Sequence, residues 1–235
     1  IKLIYIDDFA GNQLYADIVI NHAPNVNPNL YRVKKEAVLL LGQDYFLLNK
    51  DFLNPISYPS TSIKGTVFIC FGGVDENDWT KKIVEAILDF SNIHKVEILL
   101  GANYTHTREW MRYNKITSFK NLSSKDIVKR MLKAEVVIVP SSTMSLEALV
   151  LGKKVLSVKT VDNQELIYRG LRQYEQVETL DLMKVENLRE KLNKMINLLL
   201  RKPNHRYKNG LQTSLLKSKI TSLLKKDSVQ HKKNI

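Results

Sequence analysis

The sequence predicts an α/β fold: a Rossmann-like open parallel sheet with helices on both faces. Three features predict it. From Thr66, over about 100 residues, short runs of Val, Ile and Leu alternate with helical stretches, the pattern of successive strand–helix–strand units. Two of these runs, TVFICF (66–71) and EVVIVP (135–140), are apolar almost without a break, as strands covered on both faces are. Both runs then stop on a special turn, Gly72-Gly73 in one case and Ser141-Ser142-Thr143 in the other.

The elements follow in order. IKLIYI (1–6) and LYADIVIN (14–21) read as strands, and EAVLLLGQDYFLLN (36–49) contains a third. NPISYPSTSIKG (54–65), with two Pro, four Ser/Thr and a Gly, reads as a linker. After the strand at 66–71, DWTKKIVEAILDFS is an amphipathic helix with Ile83, Ile87 and Phe90 at helical spacing. KVEILLG is a strand, THTREWMRYN a helix, KITSF a short strand, and SSKDIVKRMLKA a helix opened by capping Ser and Asp residues. EVVIVP is a strand, SLEALVLG a helix ended by Gly152, and KKVLSVK a strand. From about residue 170 the pattern turns helical. VENLREKLNKMINLLL (185–200) is amphipathic, and GLQTSLLKSKITSLLKK (210–226) carries a leucine stripe suited to packing on the body or lying on a membrane surface.

Composition narrows the class. No apolar run is long enough to cross a bilayer as a helix. The single cysteine, Cys70, lies in an apolar strand, which excludes an internal disulfide and a Cys-rich zinc site and makes the cytoplasm the expected compartment. No H-x-x-x-H pair or acidic cluster suggests a metal, so none is expected. The chain opens on Ile1 inside an apolar run, with no signal-peptide order, and reads as a fragment entered in mid-fold. Residues 201–235 hold ten of the 36 Lys/Arg but one of the 24 acidic residues, so they carry +9 of the net +12. The basic character belongs to a tail. It suits a solvated end or a weak membrane-surface contact, and the body lacks the basic, aromatic-interleaved stripe of a nucleic-acid binder.

In an open parallel sheet, ligands bind outside the carboxyl ends of the strands. Gly72 and Gly73 would let backbone amides approach such a ligand, or would merely turn the chain. Ser142, Thr143 and Met144 stand at a helix start, where free N–H groups and the dipole favour a pyrophosphate; the competing role for the hydroxyls is capping. Glu147, one turn further on, is placed to accept from a ribose diol or to sit on the helix surface. Asp162, Asn163 and Gln164 form a polar cluster after the next strand, able to meet sugar hydroxyls and acetamido groups or to form a turn. His22, after the second strand, is the histidine best placed for chemistry, though a surface loop is its simpler setting. His94 and His106 read as peripheral, and His205 and His231 lie in the tail.

FGGVD after one strand, SSTMSLEALVLGKK after another and then VDNQ together resemble the C-terminal half of the two-domain glycosyltransferase-B architecture. Within it, the sequence most resembles the hydrolase of pseudaminic acid biosynthesis that cleaves UDP-2,4-diacetamido-2,4,6-trideoxy-β-L-altropyranose to UDP and the free sugar. IDD, YADIVIN and LGQDYFLLNKDF resemble the region of that family just before its domain linker. The resemblance runs from about residue 1 to about residue 180 and is most specific from Glu147-Ala148-Leu149 to Asn163-Gln164-Glu165. It implies a remnant of an N-terminal Rossmann-like domain over 1–53, a linker over 54–65, a UDP-binding domain over 66–182, and C-terminal helices with a basic tail over 183–235.

The same resemblance implies roles for residues. Gly72, Gly73 and the amides of Ser142, Thr143 and Met144 would hold the diphosphate, with Asp75 beside the glycine loop. Glu147 would bind the ribose, the backbone near Phe119 would read the uracil, and Asn163 and Gln164 would face sugar or diphosphate. No cofactor is implied. The family's catalytic histidine lies in a G-x-G-H loop, and no such motif occurs here. The expectation is therefore a chain that binds UDP but hydrolyses little, in a parent enzyme completed by a missing N-terminal domain. A UDP-sugar glycosyltransferase of the same architecture, or a non-catalytic UDP-binding module, would use the same nucleotide site.

Overall fold

The computed structural model describes residues 2–53, 61–203 and 216–222. Most of the expected linker, residues 54–60, and most of the basic tail, with His205 and His231, lie outside the described residues. The chain divides into two compact units, Ile1–Leu47 with Asn209–Ile235, and Leu48–Lys208.

In the first unit, β1 (Ile4–Ile6), β3 (Ile18–Asn21) and β5 (Val38–Leu41) form a parallel sheet in the order β1-β3-β5. A separate pair, β2 (Gln13–Leu14) and β4 (Arg32–Val33), lies beside it in sequence. The single strand expected over 14–21 is thus two. The break falls at Asp17, whose carboxylate accepts from the Leu3 amide at 2.7 Å and from Lys34 Nζ at 2.6 Å. The central strand β3 is buried throughout, whereas every residue of the edge strand β1 is exposed. Ile18, Ile20 and Leu40 form one small core, on which Leu216 and Ile220 of the helical residues 216–222 pack. Of the two settings for the leucine stripe, the described part takes the core-facing one.

The second unit carries a six-stranded, wholly parallel sheet. Its strands are β6 (Thr66–Cys70), β7 (Lys95–Leu100), β8 (Ile116–Lys120), β9 (Val136–Pro140), β10 (Lys154–Lys159) and β11 (Val177–Asp181). They lie in the order β8-β7-β6-β9-β10-β11. The two apolar runs singled out above are the central pair, and all residues of both are buried. Val67 and Ile69 face α2 (Trp79–Ile87) and α6 (Leu188–Arg201), joining Ile83, Val84, Ile87, Leu192, Ile196 and Leu199 in the main core. Phe68 and Cys70 point the opposite way, toward the face covered by α3 (Ser124–Lys133) and α4 (Thr143–Val150). A short helix α1 (Lys50–Leu53) packs on α3 and α4, and α5 (Glu165–Leu171) on β10 and β11. Helix α6, expected to begin a separate segment, instead closes one face of this sheet, because its Leu192, Ile196 and Leu199 recur at helical spacing.

Most expected elements fall within a residue or two of their places. There are two exceptions: the helix expected over 105–114 is only a 3-10 turn, Glu109–Arg112, and the stretch read as helical from about residue 170 first holds the edge strand β11, Val177–Asp181. Thr105 and Thr107 are poor helix formers, no side chain caps the turn at Arg108, and Trp110 is drawn into the core, 1% exposed. Among the described residues no helix is long and apolar enough to cross a membrane.

Candidate nucleotide-binding site

Strand order fixes where a ligand has room. From β6 the chain moves outward through β7 and β8, then returns to place β9 on the other side of β6. In a sheet of this order the connections leaving the carboxyl ends of β6 and β9 run to opposite sides, and the general rule for open parallel sheets puts the ligand crevice between them. Both special turns read from the sequence lie at this switch point.

The β6 turn is built from backbone strain and capping. Gly72 adopts φ +79° and Asp75 φ +52°, both left-handed. The Asp75 carboxylate accepts from the amides of Trp79 and Thr80, each at 2.9 Å, and so caps α2. Asp78 accepts from the Lys81 amide at 3.3 Å. A Cβ added at Gly72 or Gly73 would meet no atom within 4 Å, so neither glycine is required by a neighbouring protein atom. Gly101, at the end of β7, is the opposite case: its Cβ would lie 2.1 Å from the Gly72 carbonyl oxygen and 2.2 Å from that of Gly73.

The β9 turn is held by three buried serines. Ser157 Oγ on β10 lies 2.8 Å from Ser141 Oγ and 2.8 Å from Ser145 Oγ, and Ser145 donates to the Pro140 carbonyl at 2.5 Å. Ser142 is the residue before α4, and its side chain makes no capping bond. Its amide already donates to the Pro140 carbonyl at 2.8 Å. The amides of Thr143 and Met144, in the first turn, have no carbonyl four residues back within the helix.

Glu147 is half-buried on α4 and forms no ion pair among the described residues. Burial pushes its carboxyl up to about 7, opposed by a hydrogen bond from the Asn49 backbone. Cys70, which ends the buried central strand β6, is an inert core residue: burial raises its thiol to about 11, with Asp75 and Glu147 adding repulsion.

The remaining sequence-derived residues are placed as follows. Phe119 is on the edge strand β8, and the Arg130 guanidinium stacks 3.3 Å from its ring centroid. Asn163 is exposed in a 3-10 turn, Asp162–Gln164, while Gln164 Oε1 accepts from the Thr160 amide at 2.8 Å, so its oxygen serves the turn. Lys159 fixes that turn, with Nζ 2.5 Å from Glu165, 3.5 Å from Asp162 and 3.8 Å from Asp181. His22 is not a surface residue. It is 6% exposed, its Nδ1 accepts from the Leu47 amide at 3.2 Å, and burial lowers its pKa, because it follows the covered strand β3 and rests edge-on against Phe46.

Sequence reasoning set His106 aside, yet it stands at the glycine turn, its Nε2 2.9 Å from the Asp75 carbonyl oxygen. It also missed Gly101, Ser145 and Ser157. A lone glycine ending a strand was the one available signal. Among the described residues no cluster of His, Cys, Asp or Glu is arranged to hold a metal ion.

No protein-family model matches the chain. It is 26% identical over 168 residues to an uncharacterized protein of Methanocaldococcus jannaschii, covering 66% of this chain and 35% of that protein. Among solved structures it resembles the glycotransferase of kitacinnamycin, with a TM-score of 0.55 at 11% identity, covering 80% of this chain and 48% of the other. It also resembles MurG of Acinetobacter baumannii, with a TM-score of 0.50 at 14% identity, covering 85% and 59% respectively. The chain thus spans between about a third and three-fifths of the lengths of these proteins. Such likeness identifies the fold: an α/β architecture of the glycosyltransferase-B type.

Proposed function

We propose that the second unit binds the UDP moiety of a UDP-sugar in the crevice between β6 and β9. One observation carries this reading: the glycine turn after β6 and the helix start after β9 both lie at the topological switch point, with the carboxylate of Glu147, which has no ion pair among the described residues, one turn inside α4. The diphosphate lies against the backbone of Gly72 and Gly73 and the amides of Thr143 and Met144, with Ser142 at the same turn. Glu147 accepts from the ribose diol. The backbone near Phe119 reads the uracil, and Asn163 and Gln164 lie toward the sugar.

The reaction proposed for the intact protein is hydrolysis of a UDP-linked 2,4-diacetamido sugar, in which water attacks the anomeric carbon and UDP departs. Amides and a helix end that hold the diphosphate also stabilise the charge it gains on leaving, without a metal. These 235 residues contain no G-x-G-H loop, so the part assigned to this chain is leaving-group binding and not the general base. The wholly exposed strand β1 supports further strands of an N-terminal α/β domain beside it. The likeness to a glycotransferase favours a second reading, in which an acceptor hydroxyl replaces water.

Calorimetric titration of the chain with UDP, UMP and uridine tests the shared nucleotide site. The expected order of affinity is UDP, then UMP, then uridine. Glu147→Ala should weaken UDP binding by about 1.5–3 kcal/mol, the range for a hydrogen bond to a charged group.

A further inference from the structure

The glycine turn after β6 needs something to hold it. Gly72 and Gly73 lose more backbone freedom on ordering than other residues do. The restraint comes from the loop after β7. The Asn103 amide donates to the Gly73 carbonyl at 3.1 Å. His106 Nε2 lies 2.9 Å from the Asp75 carbonyl oxygen. Tyr104 Oη donates to Asp78 Oδ1 at 2.6 Å, and the Tyr104 and His106 rings meet edge to face with centroids 5.3 Å apart. The backbone of Gly101 lies directly against the Gly72 and Gly73 carbonyls.

Apart from the Tyr104–Asp78 bond, these contacts draw on backbone carbonyls, which fixes where the adjoining amides point. A trans peptide is planar, with its C=O and N–H pointing in opposite directions. The carbonyls of Gly72 and Gly73 point at the β7 loop, so the amides of Gly73 and Val74 point away from it. Strand β9 is on that other side of β6. Neither amide donates to a protein acceptor among the described residues.

We infer that Tyr104 and His106 are positioning residues, which hold the glycine turn so that the Gly73 and Val74 amides face the crevice where a diphosphate would bind. This rests on the nucleotide-site reading above. Because the acceptor at Asp75 is a carbonyl, His106 Nε2 is the protonated nitrogen. A neutral ring in this tautomer and a charged ring both make the bond, so the role does not require His106 to act as an acid or base.

The test is titration of the wild-type chain and of His106→Ala, His106→Gln and Tyr104→Phe with UDP and with uridine, each variant checked by a thermal melt. His106→Ala and Tyr104→Phe should each lose about fivefold to tenfold in UDP affinity, the worth of one net hydrogen bond. Uridine affinity should stay at the wild-type value. His106→Gln, whose amide can still donate to Asp75, should recover most of the loss. Equal losses for UDP and uridine, no loss, or a glutamine variant as weak as the alanine variant would each overturn the inference. His106 is partly exposed, so its variants remain decisive even where Tyr104→Phe proves unstable. A wild-type chain that binds no UDP sinks the nucleotide reading itself; a wild type that binds with normal variants sinks only the positioning role.

Discussion

Glu147 has a calculable effect on stability. Its carboxyl is half-buried, without an ion-pair partner among the described residues, and titrates near about 7 in place of 4.5. Below about pH 4.5 it is protonated in both folded and unfolded chains and costs nothing. Between there and about pH 7 the unfolded chain ionises while the folded chain keeps its proton, so stability falls. Above that range both are ionised and the cost is constant. A shift from 4.5 to about 7 corresponds to about 3 kcal/mol at 1.36 kcal/mol per unit. Water at the open side of the carboxylate lowers this to about 2–3 kcal/mol. Glu147→Gln keeps the shape and removes the ionisation. Urea unfolding of both proteins from about pH 4.5 to pH 8 isolates this group, because other carboxylates cancel in the difference. The glutamine variant should gain about 2–3 kcal/mol over wild type across that range, with the gain complete just above pH 7. A flat difference, or a wild type that strengthens as pH rises, would refute the reasoning, since either means a carboxylate that is solvated or paired. Saturating UDP should shrink the gain, because hydroxyls donating to Glu147 favour its ionised form.

The glycines near the turn should separate stability from binding. Gly73 has an ordinary φ and open space at its Cβ position, so Gly73→Ala should unfold like wild type while losing diphosphate-dependent affinity. Gly101→Ala forces a Cβ to 2.1 Å from a backbone oxygen and should cost about 3 kcal/mol by chemical denaturation. Ser157→Ala removes the hydroxyl shared by Ser141 and Ser145 and should cost about 1–3 kcal/mol, with a matching loss of UDP affinity as the α4 start loosens.

The sheet was legible because its central strands are covered on both faces, and such strands carry unbroken apolar runs such as VFICF and VVIVP. Helices α2 and α6 were legible because each buries one stripe. Gly72-Gly73 stood out because the pair directly follows a strand end, and Glu147 because it sits one turn inside the helix that follows another. The stitching of the site was not legible. Tyr104 and His106 meet a turn about 30 residues earlier in the chain, and Ser157 meets Ser141 and Ser145 across a strand pair; no local pattern announces contacts made only by the finished sheet. The helix expected around Trp110 failed for a related reason, since burial of the indole in the core outweighs a weak local preference. His22 was misplaced because the strand before it gives no sign of the Phe46 ring that covers it.

The most direct test of the central claim is calorimetric titration of the chain with UDP beside UMP and uridine. The expected result is saturable UDP binding that weakens as each phosphate is removed, and weakens again in Glu147→Ala. A chain that melts cooperatively yet binds UDP no better than uridine would contradict it.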